Sequence, residues 1–510
     1  MKKVISLLLA FIMVLSLAAC TANGGKTGGA TTDPLTKDDV IKIGLISHAS
    51  WPFSEDWKVW KYIEEGTGAT LDIAAYPASD AGTKFSLMFA APDTLPDIIT
   101  ATGKVSVDKY IQQGATIAFD DVSEYMPSYN AWVDSLTEEE YQTHIVSCKG
   151  ADGKVHFSPV KGREKSQNVR AWLYRKDIFE KHNLAVPTTF DELYAVCKQL
   201  KALYPESYPY CVRQKFVSFD VSGASWKPYW RMNAYYDYEN EKWSYGATED
   251  VFEEMLVFYK KMIAEDLMPS DFMTISNATW QELITTDRGF VFPDYQTRID
   301  FFNGLARVNN PEFEISAFVP PVAKEGGVPM VNKYNFDSSG VVMCNSRDDR
   351  RIANTAKYMD WFYSDEAVEL VSWGKEGETY EVSDGKKKFI TDEKKSQPNS
   401  MYGFSTYGTF ARMDPEAVLV MESEDIAKTR DMVLQHTISH LNPTVSFNEE
   451  EQKVIDEYSS AIGTYVNEMV SKFVLGTEPL SKFDEFRETI NEMGVEKILA
   501  AYESAYARVK

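Results

Sequence analysis

Three short apolar runs recur along the chain without the in-and-out alternation of a strand buried on one face. Residues 40–47 read VIKIGLIS, 96–100 read PDIIT and 339–344 read SGVVMC. Unalternating runs of this length, rich in β-branched residues, suit strands covered on both faces of a parallel sheet. Such a sheet needs helices to cover it, and helical stretches lie between the runs, so the class expected is α/β. A chain of 510 residues exceeds what one hydrophobic core covers, which implies at least two domains.

Several helices announce themselves by their ends. Thr189 and Glu192 make a capping box ahead of Leu193, Val196, Cys197 and Leu200, which share one face. Residues 250–265 repeat the pattern with Phe252, Met255, Leu256, Tyr259, Met262 and Ile263. Asn448 with Glu451 opens a long helix through Phe473; Ser481 opens the next, Gly494 stops it, and residues 495–509 form a terminal helix. No repeat of solenoid length is present.

The N-terminus is an address rather than a fold. Lys2 and Lys3 precede residues 4–19, in which only Ser6 and Ser16 are polar, too short for a membrane span of ~20 residues and typical of a secretory signal. The run ends in Leu17-Ala18-Ala19-Cys20, which resembles the lipobox of bacterial lipoproteins. That resemblance implies that Cys20 takes a diacylglycerol and becomes the mature N-terminus; an ordinary signal peptide with an incidental cysteine is the alternative. Residues 20–37 then form a tether, made flexible by four Gly and four Thr between 21 and 32.

Charge and cysteines exclude other classes. With 53 Lys and Arg against 76 Asp and Glu the formal charge is −23, a surface that repels nucleic acid and anionic lipid heads. Hydrophobic residues at 44% and charged residues at 25% exclude a disordered or polytopic membrane protein. Cys148, Cys197, Cys211 and Cys344 form no CxxC pair and no zinc spacing. A Cys197–Cys211 disulfide and buried thiols both remain open.

Three passages are more specific. Residues 174–181 (YRKDIFEK) with 186–193 (VPTTFDEL), the turn 373–380 (WGKEGETY), and the C-terminal run 473–484 (FVLGTEPLSKFD) with Met493-Gly494-Val495 and 502–506 (YESAY) occur with 95–98 (LPDI). Together they resemble family 1 extracellular solute-binding lipoproteins, the carbohydrate receptors of ABC importers, in their long Gram-positive branch. The resemblance implies a two-lobed periplasmic-binding-protein-like fold of type 2, with a ligand cleft between lobes joined by hinge strands. Residues 38–160 and 318–372 would form the N-terminal lobe, and 161–317 and 373–510 the C-terminal lobe. Residues 155–161 (VHFSPVK), 317–323 (AFVPPVA) and the region 373–382 suit the crossings. Many members of that branch carry a calcium loop where this chain reads PESYPYCVR, residues 205–213, so no metal is assigned.

Sugars present hydroxyls and flat C–H faces, so their sites combine aromatic rings with polar side chains. Residues 226–245 hold eight aromatics and read as loop or loop-to-helix; Trp226, Trp230 and Arg231 are the preferred anchors among them. His48 and Trp51 follow the first strand and Thr102 and Lys104 follow PDIIT, where the resemblance implies ligand loops. Residues 288–294 (RGFVFPD) read as a strand running into a turn, with Asp294 and Tyr295 at the second lobe's cleft edge and an unpaired Asp294 accepting sugar hydroxyls. Trp373, Tyr402 and Tyr407 would lie beside the third crossing as cleft lids. Each of these residues has a bland alternative, as surface, turn or core.

No GxSxG, HExxH, Walker A or Rossmann fingerprint stands in a fitting context, and the six histidines show no metal-ligand spacing. No catalytic residue and no cofactor is assigned. The resemblance implies a non-enzymatic monomer, lipid-anchored on the outer face of the cytoplasmic membrane, whose partners are an oligosaccharide and the transmembrane subunits of an ABC permease. Two other readings compete with it: a secreted carbohydrate-active hydrolase, whose carboxylate pair spacing alone leaves open, and a sensory or interaction lipoprotein of the same fold.

Overall fold

The computed structural model describes residues 33–48, 51–91, 94–101, 103, 107–162, 170–213, 216–333, 340–392, 397–404, 406, 411–438 and 440–508. The strands in chain order are β1 (Val40–Ser47), β2 (Thr70–Pro77), β3 (Ile98–Ala101), β4 (Thr116–Ile117), β5 (Arg170–Arg175), β6 (Ala234–Asp237), β7 (Lys242–Tyr245), β8 (Val291–Tyr295), β9 (Ile315–Phe318), β10 (Gly340–Cys344), β11 (Tyr380–Ser383) and β12 (Lys386–Phe389). The three apolar runs of the sequence become β1, β3 and β10. They sit in one sheet of order β2-β1-β3-β10-β4, with β1 parallel to β2 and β3 and with β10 antiparallel to β3 and β4. Every residue of β3 and β10 is buried, as a strand inside a covered sheet requires.

Asp97 explains the LPDI passage. Its carboxylate accepts the Lys42 N–H of β1 at 2.8 Å and the Arg351 guanidinium at 2.7 Å, tying β1, β3 and the helix Asp349–Trp361 together. The YRKD passage is a second such lock. Arg175, fully buried, pairs with Asp177 and Asp287 and lies over the Phe313 ring at 4.0 Å.

The second lobe is built on the antiparallel sheet β8-β5-β9, covered by the helices Phe190–Leu203, Asp250–Ala264 and Glu449–Leu475. Asn448 and Glu451 form the expected capping box of the last of these. Residues 226–245 are not the loop-to-helix expected from their Gly and Pro flanks: most of their aromatics lie in or beside the hairpin β6–β7, where Tyr236 and Trp243 pack on Tyr502 and Tyr506. All four cysteines from Cys148 onward are buried thiols.

Lobe membership differs from expectation in two places. Residues 373–413 pack with the first lobe, not the second: Tyr402, Phe404, Ala411 and Met413 share a core with β1, Tyr62 donates to Glu378 at 3.0 Å and Lys375 pairs with Glu65 at 2.6 Å. The turn WGKEGETY is therefore a first-lobe corner. Residues 319–331 stay with the second lobe, because β9 pairs with β5, Val322 bridges to Thr189 and Val331 to Thr437. Lys161 packs with the first lobe and Arg170 with the second, Val331 with the second and Val341 with the first, and the chain passes to the second lobe again between Asp414 and Ser423. The first and third crossings start side by side: Lys161 N–H donates to Ala411 O and Met413 N–H to Lys161 O, both at 2.9 Å. Among the described residues no helix is long and apolar enough to cross a membrane.

Candidate functional site

The site is assembled from a loop of the first lobe and a strand end of the second. β1 ends at Ser47, whose hydroxyl accepts the Phe53 N–H at 2.9 Å and so folds the intervening loop back. On that loop the His48 and Trp51 rings stack face to face, 3.6 Å between centroids and 7° from parallel. Trp51 Nε1 is buried and, among the described residues, has no acceptor. Burial first, and then the charge of Arg298, pull the His48 imidazole down to about 4, so it is neutral at pH 7. Arg298 belongs to the second lobe, at the start of the helix Arg298–Ala306. The charge of a second-lobe arginine thus reaches the loop after β1.

On the second-lobe side β8 delivers Asp294 and Tyr295, and β5 delivers Arg170 opposite Tyr295. Residues 205–213, which stand where the resemblance implies a calcium loop, run beside β8 through a Tyr210–Val291 bridge and carry Arg213 to the same spot. Arg213 grips Asp294 with both nitrogens, Nε at 2.5 Å and Nη2 at 2.9 Å. Arg170 and Arg298 stand at 3.8 and 3.7 Å from Asp294 Oδ1. Burial pushes the Asp294 carboxyl up, but the hydrogen bonds and charge of Arg213, with Arg170 and Arg298, outweigh it and hold its pKa below the usual value. Aromatic faces hold the guanidiniums in place: Arg170 lies 3.7 Å over Tyr295, and Arg213 lies 5.1 Å over Trp280.

Asp294 is consequently not the unpaired acceptor expected from the sequence. Its side chain is 1% exposed, and its oxygens are taken by Arg213 and by the Tyr295 N–H. Trp230 is 0% exposed, donating to Gly246 O at 3.3 Å, and Trp226 packs 3.9 Å from the Phe190 ring; both serve the second lobe's own core. Arg231 donates to Lys333 O at 3.0 Å, next to the second crossing. Trp373 is buried under Phe389 and donates to Asp414 at 2.7 Å, while Tyr402 is buried and donates to Ile390 O at 2.5 Å, so neither is a cleft lid. Of the sequence candidates, His48 and Trp51 stack on each other, and Tyr295 lies under Arg170 beside Asp294. Thr102, Lys104, Tyr407 and the lipidation candidate Cys20 lie outside the described residues.

Arg170, Arg213 and Arg298 were not singled out by the sequence. No local signal marks them, because Asp294 belongs to a strand and Arg298 opens the following helix, so their spacing is not that of one helix face. A separate hollow on the second lobe, lined by Tyr174, Val186, Pro187, Phe318 and Pro320, is apolar and contains no arginine.

Comparison with known proteins agrees with this architecture. The profile of the bacterial extracellular solute-binding protein family matches residues 53–369. Lipoprotein LipO of Bacillus subtilis is 21% identical over 522 residues, covering 98% of each chain. Among solved structures, that of an alginate-binding protein without calcium ion has a TM-score of 0.75 at 22% identity, covering 95% of this chain and 100% of that one. The S. pneumoniae ABC-transporter substrate-binding protein FusA, in complex with kestose, has a TM-score of 0.73 at 17% identity, covering 92% and 100%. These structures share its fold, two α/β lobes.

Proposed function

The chain belongs to the bacterial extracellular solute-binding protein family, and on that premise we propose that it is the receptor of an ABC importer, closing its lobes on an oligosaccharide and handing it unaltered to a membrane permease. What supports this reading is the two-lobed fold, with an aromatic His48–Trp51 plate on one lobe within reach of the charge of Arg298 on the other. A ligand held there touches both lobes only when they are closed, so it stabilises the closed state by differential contact. The alginate-binding neighbour and the kestose complex support a saccharide as the ligand. The name of LipO supports a lipoprotein, with Cys20 as the lipid-bearing residue and the outer face of the cytoplasmic membrane as its place.

The test is a broad glycan panel read by thermal shift, with small-angle scattering and mass spectrometry on each hit. The expected result is a ligand that raises the melting temperature, shrinks the radius of gyration and is recovered intact. A ligand cleaved during the assay would favour the hydrolase, and no ligand from the panel would remove the sugar reading. Cys20→Ser should release the protein from membranes or leave its precursor uncleaved, as read by cell fractionation.

A further inference from the structure

We infer that the second lobe's side of the cleft is built to hold a compact oxyanion, so that the oligosaccharide taken up is an acidic one, bearing a ring carboxylate or a sulfate or phosphate ester. This rests on the receptor reading above and narrows it to a class of ligand.

Three guanidiniums, from Arg170, Arg213 and Arg298, converge on the single carboxylate of Asp294. Arg213, through both of its bonds, and the Tyr295 N–H already satisfy that carboxylate. Arg170 and Arg298 sit beyond hydrogen-bond reach of it, and among the described residues no hydrogen bond from either guanidinium is present; Arg298 Nε is buried without a partner. Their side chains are only 10% and 17% exposed, so water does little to replace the missing acceptors. A lock on Asp294 needs one arginine. The other two add like charge and desolvation for a distant ion pair and ring contacts, with no hydrogen bond made in return, an arrangement that a bound anion would complete.

The surroundings do not cancel the excess. Asp220, the other carboxylate that Arg170 acts on, is engaged by the Met232 N–H at 2.9 Å and shared with Arg231. In a chain of charge −23 this is a cationic island, and the charge of Arg298 reaches His48 of the opposite lobe. Planar guanidinium forks fit carboxylates and phosphates in two-point contact, and Tyr295 under Arg170 fixes one fork before any ligand arrives. On the first lobe, the stacked His48–Trp51 plate offers a flat face for a sugar ring.

The test uses the full chain in detergent, titrated calorimetrically with short oligogalacturonates, their neutral methyl esters, sulfated and phosphorylated oligosaccharides of matched length, and neutral fructo- and malto-oligosaccharides. One acidic arm should bind about tenfold or more tighter than its neutral counterpart, with affinity falling as salt is added, and the arm that binds identifies the oxyanion. Arg298→Gln and Arg298→Lys should each lower that affinity about tenfold or more, the second keeping the charge and losing only the fork. A neutral sugar that binds as well as its acidic match, with Arg298→Lys without effect, overturns the anionic site and leaves the receptor standing. Failure of every acidic and neutral sugar overturns both.

Discussion

Asp294 is the counter-charge for three buried arginines, so removing its charge while keeping its shape isolates that role. Asp294→Asn should destabilise the protein by about 3–5 kcal/mol in urea unfolding, the scale of a buried ion pair that loses one partner. His48 gives a different signature. Its pKa is about 4 in the folded chain and ~6.5 when unfolded, so between those values the unfolded state takes up a proton that the folded state refuses. Stability due to His48 is therefore complete above pH ~6.5, falls as pH drops towards 4 and levels off below it; allowing for solvent screening the loss is about 2 kcal/mol. His48→Gln should flatten that part of the urea-midpoint profile across the same window. What the sequence revealed at this scale was kinds of residue, not their meeting. Tyr295 and Trp51 stood out because a strand end and a post-strand loop point at a cleft. Arg170 and Arg213 did not, because each becomes informative only when β5 and residues 205–213 are laid beside β8. Trp230 misled for the complementary reason: an indole serves a core as well as a sugar, and composition does not distinguish them.

Elements whose cause is local were legible. β1 and the helices Asp250–Ala264 and Glu449–Leu475 follow from runs, faces and caps within their own segments. Asn448→Ala should cost about 1 kcal/mol by chemical denaturation, the usual loss for an N-cap side chain. Elements whose cause lies elsewhere were not. The crossing expected at 317–323 failed because Phe318 finds its partner at Trp172, and residues 373–413 were placed in the wrong lobe because Glu378 finds Tyr62. Residues 155–161, expected as a crossing, pair with β10 through Phe157 and Val342 and stay in the first lobe, and the glycine that follows them was not legible. Gly162 has φ of +113° and a Cβ there would lie 2.1 Å from Met413 O, so only glycine lets the first crossing run against the third. Gly162→Ala should destabilise by about 1–3 kcal/mol and alter the radius of gyration of the ligand-free protein by scattering, since it pries apart the two segments at the joint.

For the molecule as a whole, the two-lobed plan was carried by the family resemblance more than by pattern, since the YRKD, LPDI and WGKEGETY passages are locks and corners of the scaffold. The same plan predicts how the protein responds to chelation. Among the described residues no cluster of three or more His, Cys, Asp or Glu could hold a metal, and residues 205–213 are committed to β8 and Arg213. EDTA should therefore leave the melting temperature within about 1 °C, because only a species bound to the folded state shifts unfolding. The placement of β10 has a consequence for how the chain is made. β4 has no sheet neighbour but β10, and β3 meets β10 on the side away from β1, although β10 is synthesised after the whole of the second lobe's first segment. A chain made amino end first thus carries an incomplete first sheet, with a slot open between β3 and β4, until residues 340–344 emerge to fill it. The second lobe's β5, β8 and β9 can pair while that slot waits, and the first lobe is finished by a strand inserted from behind it.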